Sequence, residues 1–388
     1  MKIYEIATGY TPVPAHIGAA TEIVVEALTR AFRSRGIPAE IVDIHAPNRA
    51  ATELPIHQVP MPAFLSGTDL KLGLMHKLKR VIYSCSLAHT LKKLLRQEKE
   101  RPILHFHNQY NLFFFLLLTA PRLRRKAWIA YTVHSGIWRQ DWEIIKHTIR
   151  RRYFQESFCM KRCDLLFVLN RETAEIATAK LHIPANRIVR IRNGIDPLVY
   201  RPLGMSRTML ALQVGSVCEN KGQLRSARLL LPLLRKYPDL HFCYAGGIVD
   251  AHYQDDIQAL ARAHGLEDRI RYLGMIPPGD ALNELYNRAA FTLFPSGFEA
   301  FGLAAIESLA AGTPVLIPKS SPMDFGCGCV LYDEDSFPEI AEKLLTQDGQ
   351  TLCSTISRNA VECYSWDRVA AEHLTAFKER IHIHEAEI

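Results

Sequence analysis

The chain has 388 residues, which is long for one hydrophobic core and sufficient for two domains of average size. Its apolar content of 48% and charged content of 22% are typical of soluble globular proteins. No apolar run reaches the roughly 18 residues that a membrane-spanning helix needs, so a transmembrane protein is excluded at this level. The longest apolar run, residues 112–118, is predicted to be a buried helix or strand.

The net charge of +7 is unevenly distributed along the chain. Residues 60–163 contain 20 Lys and Arg against 6 Asp and Glu. This excess is compatible with contact to an anionic membrane surface or an acidic acceptor, and equally with solvated helix faces. No nucleic-acid-binding motif accompanies the charge, so we expect no nucleic-acid partner.

The cysteine pattern and the N-terminal residues bear on the compartment. Nine cysteines are scattered without a C-x2-C pair, and no histidine cluster stands near Cys327-Gly328-Cys329. The sequence therefore predicts free thiols in a reducing compartment and no zinc site. The first residues, MKIYEIATGY, lack the apolar segment of a signal peptide, so we expect a cytoplasmic protein.

The first half of the sequence alternates short apolar runs with amphipathic stretches, which is typical of parallel α/β domains. Residues 3–7 are predicted to form the first strand, residues 21–34 a helix and residues 41–44 the second strand. The G-x-G-x-x-G pattern of dinucleotide-binding sites is absent from this β-α-β opening. Residues 50–101 have weak periodicity and several basic stretches that are predicted to be helices.

Polar side chains follow two further predicted strands. His107 and Asn108 come directly after residues 103–106, and His134 follows residues 128–133. Ligands of open parallel sheets bind at the carboxyl ends of the strands, so His107 and Asn108 are candidates for binding an acceptor. A structural role for these residues is an equally good interpretation. For a lone histidine such as His134, a core or capping role is the commoner one.

The middle of the chain contains a domain boundary. The pair Asn193-Gly194 is a turn signal, and the prolines and glycine of residues 197–207 indicate a linker. The next strand, residues 210–214, leads into a glycine-bounded loop over residues 215–222 that contains Lys221.

Residues 291–318 carry the strongest functional pattern of the sequence. A strand over residues 291–294 is stopped by Pro295, a helix is predicted over residues 303–311, and a buried strand follows. The N–H groups at the start of that helix attract phosphate oxygens. Glu299 and Glu307 bracket this turn, and carboxylates accept hydrogen bonds from sugar hydroxyls. The combination favours a ligand with a central diphosphate between two hydroxylated rings, which is a nucleotide sugar.

The segment E-A-F-G-L-A-A-I-E, preceded by Pro295 and followed by A-G-T-P-V, resembles the E-x7-E signature of the family 4 retaining glycosyltransferases. The resemblance implies the GT-B fold, with two Rossmann-like α/β domains facing each other across a cleft. The first, acceptor-binding domain would span residues 1–200 and the second, donor-binding domain residues 201–365. Residues 366–388 would form a helix that returns to the first domain.

The resemblance also implies roles for individual residues. Gly18 matches the N-terminal glycine loop of the family, where a backbone without a side chain lets the ligands approach closely. His134, in the T-V-H turn, would lie at the donor sugar. Lys221 and the loop residues at the helix start would stabilise the leaving diphosphate, and the donor-binding set is Gly18, Ser216, Lys221, Glu299, Ala300, Phe301, Gly302, Leu303 and Glu307. Within it, Glu299 would bind the transferred sugar and Glu307 the ribose.

The reaction implied is transfer of a sugar from a nucleotide-diphosphate sugar to a hydroxyl group of a saccharide, a lipid or a small metabolite, with retention of configuration. A UDP-sugar is favoured by its frequency in the family. No D-x-D motif appears in the motif-bearing regions, so neither a metal ion nor another cofactor is expected. Two departures stand out: Ser216 occupies the usual arginine position, and residues 319–325 replace a glycine turn. They leave open a non-catalytic nucleotide-sugar-binding protein, and an epimerase or phosphorylase on the same fold is the other alternative.

Overall fold

The computed structural model describes residues 1–14, 20–62, 65, 74–321, 323, 325–346 and 350–386. The chain divides into two compact units. The first unit contains the chain up to Gly194 together with the segment from Trp366 onwards, and the second unit contains Ile195–Ser365.

The first unit is built on a seven-stranded parallel sheet with the strand order β3-β2-β1-β4-β5-β6-β7. Its central strands are short and fully buried, as expected for a parallel sheet that is covered on both faces. The strands are β1 (Ile3–Ile6), β2 (Ala39–Ile44), β3 (Ile56–Val59), β4 (Ile103–Phe106), β5 (Trp128–Val133), β6 (Leu165–Val168) and β7 (Ile188–Arg190). The predicted strands in this region are therefore confirmed within a residue or two.

Helices cover both faces of this sheet. They are α1 (Ala20–Ser34), α2 (Leu74–Gln97), α3 (Gln109–Leu118), α4 (Pro121–Arg124), α5 (Trp142–Arg152), α6 (Phe154–Arg162), α7 (Arg171–Ala179) and the C-terminal helix α14 (Trp366–Ala386). On one face, α2, α3 and α6 pack in a core that includes Tyr4, Phe106 and Tyr131. On the other face, α14 packs against α1, and the ring of Phe377 lies 6.4 Å from that of Phe32.

Two predictions about the first unit need correction. The apolar run 112–118 is not fully buried, because it forms most of α3 at the surface and leaves Leu117 and Leu118 56% and 46% exposed. The several basic helices predicted over residues 50–101 are one long helix, α2, in the described residues. Among the described residues, no helix is both long enough and apolar enough to cross a membrane.

The C-terminal helix belongs to the first unit, as the sequence predicted. It begins at Trp366, whose ring lies so close to Gly194 that a Cβ atom there would be 2.5 Å from the indole. Asp367 forms an ion pair with Arg35, which follows α1, at 2.7 Å. The Asn-Gly turn at residues 193–194 therefore needs its glycine because the helix packs directly on it.

The second unit is built on a six-stranded parallel sheet with the order β10-β9-β8-β11-β12-β13. Its strands are β8 (Leu210–Val214), β9 (His241–Ala245), β10 (Ile270–Tyr272), β11 (Phe291–Leu293), β12 (Val315–Pro318) and β13 (Cys329–Tyr332). Its helices are α8 (Gln223–Lys236), α9 (Ala251–Ala263), α10 (Asp280–Arg288), α11 (Leu303–Ala310), α12 (Phe337–Thr346) and α13 (Gln350–Tyr364). Strand-helix alternation around β8 and β11 gives this unit the architecture that the sequence predicted.

The boundary between the units lies at residue 194 rather than at residue 200. The backbone N–H of Ile195 donates to the carbonyl of Tyr364 at 2.7 Å, which ties this residue to the second unit. The predicted linker is also attached to that unit, because Asn283 and Asn287 on α10 accept from the N–H groups of Arg201 and Leu203. Turn-forming residues in the sequence indicated an irregular segment but could not show what it packs against.

Candidate functional site

The loop between β11 and α11 is shaped by Gly302, which has a left-handed backbone with φ of 101°. A Cβ atom at this position would also lie 2.7 Å from the ring of Phe294 and 3.0 Å from that of Phe325. Both the conformation and the space therefore require glycine. Because glycine has no side chain to cap the helix, the first N–H groups of α11 are not capped from this position.

Two predicted donor-site residues meet in the second unit. Lys221, in the loop after β8, forms an ion pair and hydrogen bond with Glu299, in the loop after β11. The strands β8 and β11 are neighbours in the sheet, so their loops emerge side by side at the same edge. The side chains of Lys221 and Glu299 are 24% and 16% exposed, so both remain open to a ligand.

Asn220 joins these two loops, and the sequence pattern did not single it out. Its side-chain amide donates to the carbonyl of Phe298 at 3.0 Å, and its Oδ1 accepts from the Phe298 N–H at 3.2 Å. Its backbone carbonyl accepts from the N–H of Gly297 at 2.9 Å. Asn220 therefore fixes the distance between the loop of Lys221 and the loop of Glu299.

The remaining predicted donor residues surround the start of α11. Leu303 is the first residue of the helix, Ala300 lies in the loop before it, and Phe301 is buried with its ring 6.0 Å from that of Phe325. Phe325 belongs to the segment 319–325 that departs from the family pattern. Phe325 thus supports the loop by aromatic packing.

Glu307 lies one turn into α11 with a partly exposed side chain. The hydroxyl of Tyr286 donates to its Oε2 at 3.0 Å. Burial raises the pKa of Glu307 to about 7, and the tyrosine hydrogen bond only partly opposes this rise. At neutral pH the carboxyl group of Glu307 therefore exists in both protonation states.

Ser216 follows β8, and its carbonyl accepts from the side chain of Gln223 at 3.0 Å. Its side chain carries no charge, so Lys221 is the cation that this loop supplies. Gly18 lies outside the described residues.

The first unit contains a buried cluster of histidines around Glu5 of β1. Glu5 is hydrogen-bonded to Nδ1 of His105 at 2.9 Å and to Nε2 of His107 at 2.6 Å. The other nitrogen of His107 lies 2.9 Å from Nε2 of His134, and the other nitrogen of His105 lies 2.7 Å from the Thr132 hydroxyl. Neighbouring strands create this cluster, since Glu5 and His105 are paired in the register of β1 and β4.

The electrostatics of this cluster follow from its burial. Burial opposes ionisation of Glu5, but His105 and His107 outweigh burial and lower the pKa of this carboxyl group to about 2. Burial lowers the pKa of His107 to about 4 and that of His134 well below its usual range. At neutral pH Glu5 is therefore a carboxylate, and the His107 and His134 rings are neutral.

The ligand atoms of Glu5, His105 and His107 lie within 4.8 Å of one another, so this group could hold a metal ion by donor type and spacing. In the structure these atoms hydrogen-bond one another. The expected metal independence stays a prediction.

His107 and Asn108 have structural partners in addition to their predicted role. Both ring nitrogens of His107 contact protein atoms, and its side chain is completely buried. Asn108 caps α3, accepting from the N–H groups of Tyr110 and Asn111, and donates to the Tyr10 hydroxyl at 3.3 Å. Asparagine is one of the residues favoured at this capping position. Acceptor binding by these two residues stays a prediction.

Comparison with known proteins identifies relatives of both halves of the chain. The model of the family "Glycosyltransferase Family 4" matches residues 21–197, and the model of "Glycosyl transferases group 1" matches residues 206–325. The GDP-mannose:cellobiosyl-diphosphopolyprenol alpha-mannosyltransferase of Komagataeibacter xylinus is 29% identical over 71% of this chain and 71% of its own length. The enzyme of the same name from Xanthomonas oryzae pv. oryzae is 24% identical over 99% of this chain and 98% of its own length.

Solved structures resemble the whole chain. Sucrose-phosphate synthase of Thermosynechococcus elongatus has a TM-score of 0.75, with 18% identity over 99% of this chain and 100% of that protein. Anabaena HepE, in complex with UDP and glucose, has a TM-score of 0.69, with 16% identity over 97% of this chain and 99% of that protein. At sequence identities of 16–18%, this structural similarity establishes the fold alone.

Proposed function

The chain belongs to glycosyltransferase family 4 and has the GT-B fold, and from this premise we propose that it transfers a sugar from a nucleotide-diphosphate sugar to an acceptor hydroxyl with retention of configuration. The observation that carries the proposal is the pairing of Lys221 with Glu299 beside the glycine-led start of α11. A cation and uncapped helix N–H groups suit a diphosphate, and an adjacent carboxylate suits sugar hydroxyls.

In this proposal the ion pair exchanges partners when the donor binds. The diphosphate competes for Lys221, and the hydroxyl groups of the transferred sugar donate to Glu299. Negative charge grows on the leaving diphosphate as the sugar bond breaks, and Lys221 with the N–H groups of Phe301, Gly302 and Leu303 stabilises that charge. Glu307 accepts from the ribose hydroxyls.

GDP-mannose is the donor we propose first, because two relatives that cover most of this chain are named as GDP-mannose-dependent mannosyltransferases. A UDP-sugar, which the sequence favoured, is the second candidate and is supported by the UDP and glucose bound to HepE. The two candidate donors differ in their nucleotide base, and none of the proposed contacts described above involves the base.

The proposed acceptor is a saccharide linked through diphosphate to a lipid, the acceptor class in the names of those relatives. A surface of the first unit supports this choice. Helices α2, α4, α5 and α6 carry 14 Lys and Arg against two Glu, one of which, Glu156, is buried. Met75, Leu78 and Val81 recur along α2 and are 56%, 43% and 44% exposed. Exposed apolar groups among cations suit an anionic membrane surface.

Two measurements test the proposed reaction. Thermal unfolding with GDP, UDP or ADP at 100 times the dissociation constant should add about 2.7 kcal/mol of stability with the cognate nucleotide. Release of that nucleotide from its sugar conjugate should then require a lipid-diphosphate saccharide, and the anomeric configuration of the product is read by NMR. Stabilisation without release of any nucleotide would favour the non-catalytic binding protein that Ser216 left open. Release without an acceptor would overturn the transferase proposal.

A further inference from the structure

The first turns of α2 have the opposite polarity to the rest of the helix. Further along α2, the face that packs in the core carries buried leucines at helical spacing, Leu87, Leu91 and Leu95. The same face, followed back to the start of the helix, carries Arg80 and then His76. The opposite face of these turns carries the three exposed apolar residues of α2 described above. Polar groups facing inward and apolar groups facing outward are the reverse of what folding favours, which indicates that the inner face serves a ligand.

Arg80 is held in place while its charge is not neutralised. Its guanidinium carbon lies 3.7 Å from the centre of the Tyr110 ring. Its Nε atom is buried and has no hydrogen-bond partner, and Arg80 forms no ion pair, among the residues that the structure describes. Stacking on the ring therefore fixes the planar group, and its terminal N–H groups are available to an anion.

Arg80 belongs to a closed ring of contacts at the carboxyl edge of the first sheet. Tyr110 lies two residues after Asn108, which caps α3. The Asn108 amide donates to the Tyr10 hydroxyl at 3.3 Å, since these two residues follow the neighbouring strands β4 and β1. The Tyr10 ring lies 5.4 Å from that of His76, which is one turn before Arg80 on α2. The five residues therefore form one contiguous group, of which all but Asn108 are half-buried.

The Tyr10 hydroxyl adds a second donor to this group. Oδ1 of Asn108 accepts from two N–H groups of α3, so the NH2 end of its amide faces the Tyr10 hydroxyl oxygen. The hydroxyl accepts this bond, and its own proton has no acceptor among the described residues. Arg80 and Tyr10 therefore offer N–H and O–H donors to one ligand, a set that suits the oxygens of a phosphate group.

We propose that Arg80, supported by the Tyr110 ring and assisted by the Tyr10 hydroxyl, binds the diphosphate of the acceptor. This inference rests on the proposed function for its ligand, a saccharide linked through diphosphate to a lipid. The start of α2 then contacts the diphosphate with its inner face and the lipid surface with its outer, apolar face. Asn108, an acceptor-binding candidate from the sequence, takes part by orienting the Tyr10 hydroxyl.

The chain offers a matched control in Arg101. Its guanidinium carbon lies 3.5 Å from the centre of the Trp128 ring, and its Nε atom is buried, as in Arg80. Arg101 precedes β4, however, and so lies at the amino edge of the sheet. Arg80→Gln and Arg101→Gln each remove one stacked cation, but only the first removes it from the proposed subsite. Two milder variants are Arg80→Lys, which keeps the charge without the planar group, and Tyr10→Phe, which removes only a hydroxyl.

The first experiment measures binding without turnover. The full-length protein is saturated with GDP or UDP, so that the donor site is occupied, and is titrated in a calorimeter with geranyl diphosphate, a water-soluble prenyl diphosphate. Arg80→Gln should weaken binding of this probe roughly 10-fold or more, and Tyr10→Phe about 3- to 10-fold. Arg80→Lys should lie between Arg80→Gln and the wild type, and Arg101→Gln should match the wild type. Absence of binding by the wild type, or equal losses in Arg80→Gln and Arg101→Gln, would overturn the proposal.

The kinetic test separates the acceptor from the donor. With the acceptor that supports nucleotide release, Arg80→Gln should lower kcat/KM for that acceptor roughly 10- to 100-fold, while the affinity for the nucleotide stays that of the wild type. A parallel fall in nucleotide affinity would contradict the assignment of Arg80 to the acceptor.

A vesicle assay distinguishes the acceptor diphosphate from the phosphate headgroup of a membrane lipid. If Arg80→Gln binds geranyl diphosphate as the wild type does but is no longer retained on phosphatidylglycerol vesicles, Arg80 serves the membrane and the proposal is wrong. Absence of nucleotide release by the wild type from every nucleotide sugar would defeat the proposed function, whereas the titration needs no turnover and tests the subsite by itself.

Discussion

Replacement of Glu299 by glutamine should separate binding of the nucleotide from transfer of the sugar. In the unliganded protein Glu299 is ion-paired with Lys221, and the donor diphosphate must compete for that lysine. A partly exposed ion pair contributes about 0–1 kcal/mol, so its removal should tighten binding of GDP or UDP by up to about 5-fold. The fold should be unaffected for the same reason.

Turnover should move in the opposite direction. A hydrogen bond to a charged group contributes about 1.5–3 kcal/mol, so loss of one such bond to the transferred sugar predicts a decrease in kcat/KM of roughly 10- to 150-fold. Calorimetric titration with the nucleotide and a coupled assay of its release measure the two effects on the same protein.

The matched control is Glu334→Gln, because Glu334 is also ion-paired, with Arg225 at 3.5 Å, but is 72% exposed. This variant should match the wild type in both assays. If Glu299→Gln keeps the turnover of the wild type, or if its nucleotide affinity falls in step with its turnover, the assignment of Glu299 to the sugar and Lys221 to the diphosphate is wrong.

Three further predictions concern the loops and the core. Gly302→Ala places a Cβ atom 2.7 Å from the ring of Phe294 at a φ of 101°, so it should lower the free energy of unfolding in urea by roughly 1–3 kcal/mol and weaken nucleotide binding. The control is Gly36→Ala, because a Cβ atom there meets open space at a φ of 74°. Equal losses of stability in the two variants would refute the packing argument. Asn220→Ala should weaken nucleotide affinity about 3- to 10-fold, because it removes the hydrogen bonds that fix the loop of Glu299 to the loop of Lys221. Unchanged affinity would show that the two loops keep their positions without these hydrogen bonds. Burial raises the pKa of Glu156 to about 7, so the folded state binds this proton more tightly than the unfolded state, and its contribution to stability is lost as pH rises from about 4.5 to about 7. The stability of Glu156→Gln relative to the wild type should therefore improve over this range by up to about 3 kcal/mol, and a pH-independent difference in denaturant titrations would contradict the shift.

The sequence by itself determined the parts of the protein that depend on local chemistry. Short apolar runs predicted most strands of both sheets, because a buried parallel strand needs little beyond such a segment. The partly exposed edge strands β3 and β13 were not predicted. Gly302 and the residues around it predicted a loop that opens a helix, since a left-handed glycine acts within a few residues of itself. Lys221 and Glu299 could be proposed from their motifs, each of which is contained in one loop.

The tertiary structure decided what depends on contacts between distant parts of the chain. Glu5 lies 100 residues before His105, and only the order and register of β1, β4 and β5 bring these residues and His134 into one cluster. Single histidines after single strands gave no sign of a shared carboxylate. Likewise, the pattern around Asn220 did not reveal its hydrogen bonds to the loop of Glu299, and turn signals did not reveal that residues 195–203 attach to the second unit. Sequence patterns identify residues by what stands beside them in the chain, whereas these contacts are set by which strands become neighbours.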